Sequence, residues 1–67
     1  MEDRERLVIV LKHLVEHNEG HGEDYRRWIE LARGAGLGEV ADKIDEAHEH
    51  VHRASVALKD ALALVKK

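Results

Sequence analysis

The sequence predicts an all-α protein: an antiparallel two-helix hairpin that dimerises into a four-helix bundle. Three observations carry that prediction. Ala, Glu, Lys, Leu and Arg together supply 36 of the 67 residues, a composition typical of long helices rather than sheets. Apolar residues recur at helical spacing in two long segments, separated by one glycine-rich stretch, Gly34-Ala-Gly-Leu-Gly38. Finally, a chain this short with no Cys has a core worth only about 3–5 kcal/mol, and small domains of this kind usually add a metal or a partner chain.

The first helix is expected over about residues 3–33. At 100° per residue, Leu7, Leu11, Leu14, Tyr25, Trp28 and Ala32 fall on one stripe, with Val10 and Ile29 at its edges. Gly20 and Gly22 interrupt the pattern at a cost of about 1 kcal/mol each relative to Ala. Tyr25 and Trp28 nevertheless resume the phase set by Leu7 and Leu14, so a continuous helix is expected. Residues 34–38 form the turn and offer a glycine for the C′ position.

The second helix is expected over about residues 39–66. Its stripe is Leu37, Ala41, Ile44, Val51, Leu58, Leu62 and Val65, with Glu39 in the first turn and Lys66 and Lys67 at the end, both agreeing with the helix dipole. A lone hairpin leaves flank residues such as Val10, Ile29 and Ala47 wet, so pairing two copies closes the core. Residues 1–67 form one domain, and the expected partner is a second copy.

The net charge of −3, from 14 acidic and 11 basic residues, argues against a nucleic-acid partner, which needs a basic face. The start, Met1-Glu-Asp-Arg-Glu-Arg6, is followed by only five apolar residues, too few for a signal peptide or a spanning helix. A cytoplasmic protein with no membrane partner is expected.

Six His residues are the feature that points to chemistry. Between Leu14 and Tyr25 the stripe positions fall on Asn18 and His21, with His17 at the edge. Between Ile44 and Leu58 they include His48 and Ser55, with His52 flanking. Centring the turn near residue 35 makes residues whose numbers add to about 70 level, which pairs His17 with His52 and His21 with His48. Each helix then carries an H-x-x-x-H pair, whose i,i+4 spacing points both imidazoles the same way. Four imidazoles at one height suit a tetrahedral divalent ion.

His17, His21, His48 and His52 are therefore the expected ligands of Zn, Ni, Co or Cu, all of which accept imidazole. The corresponding function is transition-metal storage, delivery or sensing, with a client protein as the partner in delivery. Asn18, Ser55, Asp24 and the neighbouring acids would orient the imidazoles. The two pairs lean to opposite sides of their stripes, which leaves open whether the site lies within one chain or between chains. The alternative function is a metal-free dimerisation or adaptor module, whose polar layer sets register as a core Asn does in coiled coils. His13 and His50 fall outside the core and are expected on solvated surface.

Glu16-x-x-Glu19 and Glu39-x-x-Asp42 resemble the paired acids with which all-α nucleotide pyrophosphohydrolases hold magnesium. All four carboxylates point away from the apolar stripes, and in so acidic a chain such spacings arise by chance. Ser55 is the only Ser and there is no Cys or Thr, so no nucleophile arrangement exists. No enzymatic activity is expected and no catalytic residue is assigned. Tyr25 and Trp28, one turn apart, are expected as core or interface anchors.

The stretch His17-Asn-Glu-Gly-His-Gly-Glu-Asp-Tyr-Arg-Arg-Trp28 resembles the H-N-x-x-H-x-x-x-Y/F-x-x-W string of a small family of uncharacterised bacterial and archaeal helical-hairpin proteins and appended domains. The resemblance covers mainly the first helix. It implies a two-helix unit with a role in transition-metal handling, mapped onto His17, Asn18, His21, Tyr25 and Trp28. Where such relatives have a helix former, this chain has Gly20 and Gly22.

Overall fold

A computed structural model describes residues 2–67. It contains three helices in chain order: α1 (Asp3–Gly20), α2 (Gly22–Gly34) and α3 (Gly38–Val65). Together α1 and α2 form one arm of a hairpin and α3 the other, giving a rod of 51 × 15 × 12 Å.

The expected unbroken first helix is corrected at one residue. His21 stays right-handed, with φ −82 and ψ −9, but its N–H meets the Glu19 carbonyl instead of continuing the four-residue ladder. Tyr25 N–H restores that ladder by donating to the His21 carbonyl at 3.0 Å. The interruption falls between Gly20 and Gly22, where the backbone has most freedom and no side chains to stiffen it.

The turn is built on Gly36, the one described glycine with positive φ, at 78°. Leu37 N–H donates to the Ala32 carbonyl at 2.9 Å and Gly36 N–H to the Arg33 carbonyl at 3.1 Å. These are the two bonds of a Schellman motif with Gly36 at C′. Ala41 N–H then reaches back to the Leu37 carbonyl at 3.0 Å and starts α3. Arg33 clasps Asp42 across the turn at 3.2 Å, an exposed pair worth at most about 1 kcal/mol.

Burial follows a heptad more regularly than the wheel suggested. On α1 and α2 the buried and half-buried residues are Val8, Leu11, Val15, Asn18, Gly22, Tyr25, Ile29 and Ala32. On α3 they are Ala41, Ile44, His48, Val51, Ser55, Leu58, Leu62 and Val65, with Ala61 beside them. Steps of three and four alternate along both arms, the knobs-into-holes spacing of a coiled-coil seam.

The α3 stripe is as expected except for Leu37, which is exposed. The first-helix stripe is shifted. Leu7, Leu14 and Trp28 are exposed, while Val8 and Val15 take the seam. Five consecutive apolar residues, Leu7 to Leu11, surround α1 on every side. Periodicity alone therefore averages two faces, and contact with α3 decides which one is buried.

The seam itself is thin: among the described residues Val15, Ala32, Ala41 and Ser55 are buried, and no large side chain is fully buried. One flank of the hairpin is charged, with Lys59 pairing to Glu19 across it. Elsewhere Leu14, Trp28 and Val40 remain substantially exposed. Among the described residues no helix is long and apolar enough to cross a membrane.

Candidate metal centre

The centre of the first arm is polar because its seam passes through Asn18 and Gly22, while the adjoining face carries His17 and His21. The i,i+4 spacing brings these two imidazoles together: His17 Nε2 and His21 Nε2 lie 3.2 Å apart. Their rings meet edge to face with centroids 4.6 Å apart. Without an ion, that distance is a hydrogen bond in which one Nε2–H donates to the other ring's lone pair.

The same distance is close to a coordination edge. Metal–nitrogen bonds of about 2.0–2.1 Å place the corners of a tetrahedron about 3.3–3.4 Å apart.

Behind the pair, Asp24 Oδ2 sits 3.7 Å from His21 Nδ1. A carboxylate there favours a proton on Nδ1 and leaves Nε2 free to ligate, the usual arrangement behind a metal-bound imidazole. Arg27 Nη1 lies 3.9 Å from the other Asp24 oxygen and limits the directions the carboxylate can take. His13 extends the ladder by one turn, its ring 6.4 Å from that of His17 in a near-parallel arrangement.

The second-helix pair is placed differently. His48 occupies the seam and stacks on Tyr25, with centroids 5.2 Å apart and planes 11° apart. A Cβ added at Gly22 would lie 3.8 Å from His48 Nε2, an ordinary contact that places His48 beside the junction of α1 and α2. His52 is exposed and lines, with His48, Asn18, Ser55 and Lys59, a groove that runs from the seam to the charged flank.

The Tyr25–His48 stack sets the register so that residues whose numbers add to about 73 are level, rather than 70. Three residues correspond to about 4.5 Å along a helix, enough to set His48 opposite Tyr25 instead of Gly22 and its neighbour His21. The cause is the turn, whose pivot at Gly36 lies beyond the centre expected near residue 35.

Within one protomer, no group of three or more His, Asp or Glu among the described residues is close enough to hold a metal ion. The protomer thus gathers His17, His21 and Asp24 on one face, leaving His48 in the seam and His52 on the charged flank. Seam spacing in steps of three and four was the signal that would have separated His48 from His21. The paired acids do not converge either: Glu16 and Glu39 are exposed, Glu19 pairs with Lys59, and Asp42 pairs with Arg33.

Comparison with known families places this helical hairpin. Residues 7–65 match the model of a family described as Domain of unknown function (DUF8180), and the chain belongs to that family. The match spans both arms, the turn and all six histidines. No curated protein and no solved structure matches the chain.

Proposed function

We propose that this protein binds a divalent transition metal and acts in its storage, delivery or sensing, with His17 and His21 as the chelating pair. The observation that carries the reading is the 3.2 Å separation of the two Nε2 atoms. That separation is within about 0.2 Å of a tetrahedral edge, and Asp24 stands behind His21 Nδ1. Of the four histidines with ligand spacing, His48 serves the seam through Tyr25 and His52 lies on the charged flank. Zinc, nickel, cobalt and copper all suit imidazole donors, and two donors from one chain leave coordination positions to fill. We also propose that the working form is a four-helix bundle of two hairpins, because the thin seam of one hairpin leaves Leu7, Val10, Trp28 and Leu31 at least half exposed.

A second reading, a metal-free dimerisation or adaptor module, draws on different residues. Asn18, His48 and Ser55 interrupt the seam between apolar residues, and polar residues at seam positions set register in coiled coils.

Thermal melting of metal-stripped, untagged protein at neutral pH, with and without Zn²⁺, Ni²⁺, Co²⁺ or Cu²⁺, separates the two. An ion that binds only the folded chain adds about 2.7 kcal/mol at one hundred times its Kd. Under the metal reading, His21→Ala abolishes the rise and His50→Ala keeps it. If none of the four ions shifts the wild-type melt, the adaptor reading takes its place.

A further inference from the structure

We infer that the His17–His21 pair is half of a site completed by a second copy of this chain, with the ion on the two-fold axis between antiparallel first arms. The inference rests on the metal-binding reading above and adds the partner and the stoichiometry.

The face of α1 and α2 that α3 leaves uncovered carries Leu7, Val10, Leu14, Trp28 and Leu31, with exposures of 51, 50, 38, 53 and 60 %. All of them but Leu14, whose counterpart five residues past position 19 is Asp24, are arranged evenly about that position. Leu7 and Leu31 lie twelve residues to either side, Val10 and Trp28 nine, and His17 and His21 two. An antiparallel second copy related by an axis at that point places Leu7 against the partner's Leu31 and Val10 against the partner's Trp28. The same operation sets His17 against the partner's His21. A self-complementary patch of this kind is what a two-fold interface requires.

Three further quantities fit this arrangement. Each copy brings two imidazole nitrogens at a tetrahedral edge, so two copies supply the four donors that a closed site takes. The ion carries two positive charges and each copy brings one carboxylate, Asp24, behind its His21. Neutral imidazoles add nothing, so the two carboxylates offset the ion, and Arg27, 3.9 Å from Asp24 in each copy and largely exposed, leaves the remaining positive charge at the solvent-facing rim. The five apolar residues alone expose roughly 500 Å² per copy, the larger part of the about 800 Å² per partner of a standard interface.

The test uses the full-length, untagged chain and zinc alone, with isothermal titration and sedimentation equilibrium at matched concentrations. We expect one zinc per two chains and a dimer of the 7.6 kDa chain whose dissociation constant falls at least tenfold on adding zinc. His17→Ala or His21→Ala should lose both effects. Leu31→Glu alters a side chain that is 60 % exposed in the protomer. It should keep its helical circular dichroism yet bind zinc at least tenfold more weakly, although it is remote from the ligands.

One zinc per chain on a monomer, or unchanged zinc affinity in Leu31→Glu, overturns the shared site and leaves the metal reading standing. Zinc that changes neither heat nor mass overturns the shared site, and the metal reading falls with it if nickel, cobalt and copper are equally silent.

Discussion

Replacing Gly22 with Ala tests the junction that positions the histidine pair. Gly22 lies one residue past the interruption at His21 and has no positive φ, so an alanine takes up its backbone conformation without strain. The new methyl would meet His48 Nε2 at 3.8 Å, an ordinary contact that requires no neighbour to move. Two terms then favour the variant. Alanine restricts the unfolded chain more than glycine does, by about 0.4–1 kcal/mol, and its helix propensity is higher by about 1 kcal/mol. These terms overlap, so the net expectation is a gain of up to about 1 kcal/mol. For a domain of this size that raises Tm by about 4–8 °C per kcal/mol.

Gly20→Ala, with nothing within 4 Å of its added Cβ, should behave alike. Urea midpoints and thermal scans at fixed protein concentration measure both, the concentration being held because dimerisation feeds into apparent stability. Loss of stability in both variants would show that the segment from Gly20 to Gly22 needs a conformation alanine avoids. The alignment of His17 with His21 across it would then be wrong.

Gly36→Ala should cost about 1–2 kcal/mol, because φ of 78° is a left-handed conformation that a side chain disfavours; denaturant titration reads it, and a neutral result would remove Gly36 from the C′ position. Asn18→Leu should stabilise the metal-free protein by about 1 kcal/mol by placing an apolar group at a half-buried seam position, again by urea midpoint, and a loss would mean that Asn18 makes bonds the seam depends on. Arg33→Ala, which removes the exposed clasp to Asp42, should change stability by less than about 1 kcal/mol, and a larger loss would make the clasp a structural element of the turn. Metal binding should weaken progressively in acid, since only neutral imidazole offers a lone pair; equilibrium dialysis across a pH series reads it, and retention in strong acid would point to carboxylate ligands instead.

The sequence alone determined the helical class, the two arms, the position of the turn and nearly all of the α3 stripe, because these depend on local propensity and on periodicity within one element. It also set His17 and His21 side by side, as the structure has them, since i,i+4 geometry is internal to a helix. The tertiary structure decided what depends on contact between the arms. Apolar residues on every side of α1 offered two seams of similar quality, and only packing against α3 chose Val8 and Val15 over Leu7 and Leu14. Register was likewise out of local reach: the Schellman turn at Gly36 moved the level of His48 from His21 to Tyr25, a shift of about one helical turn that no composition encodes. That shift sets His48, already on the α3 stripe, opposite Tyr25 and not His21, because a rigid turn propagates its pivot along the whole length of the arms it joins.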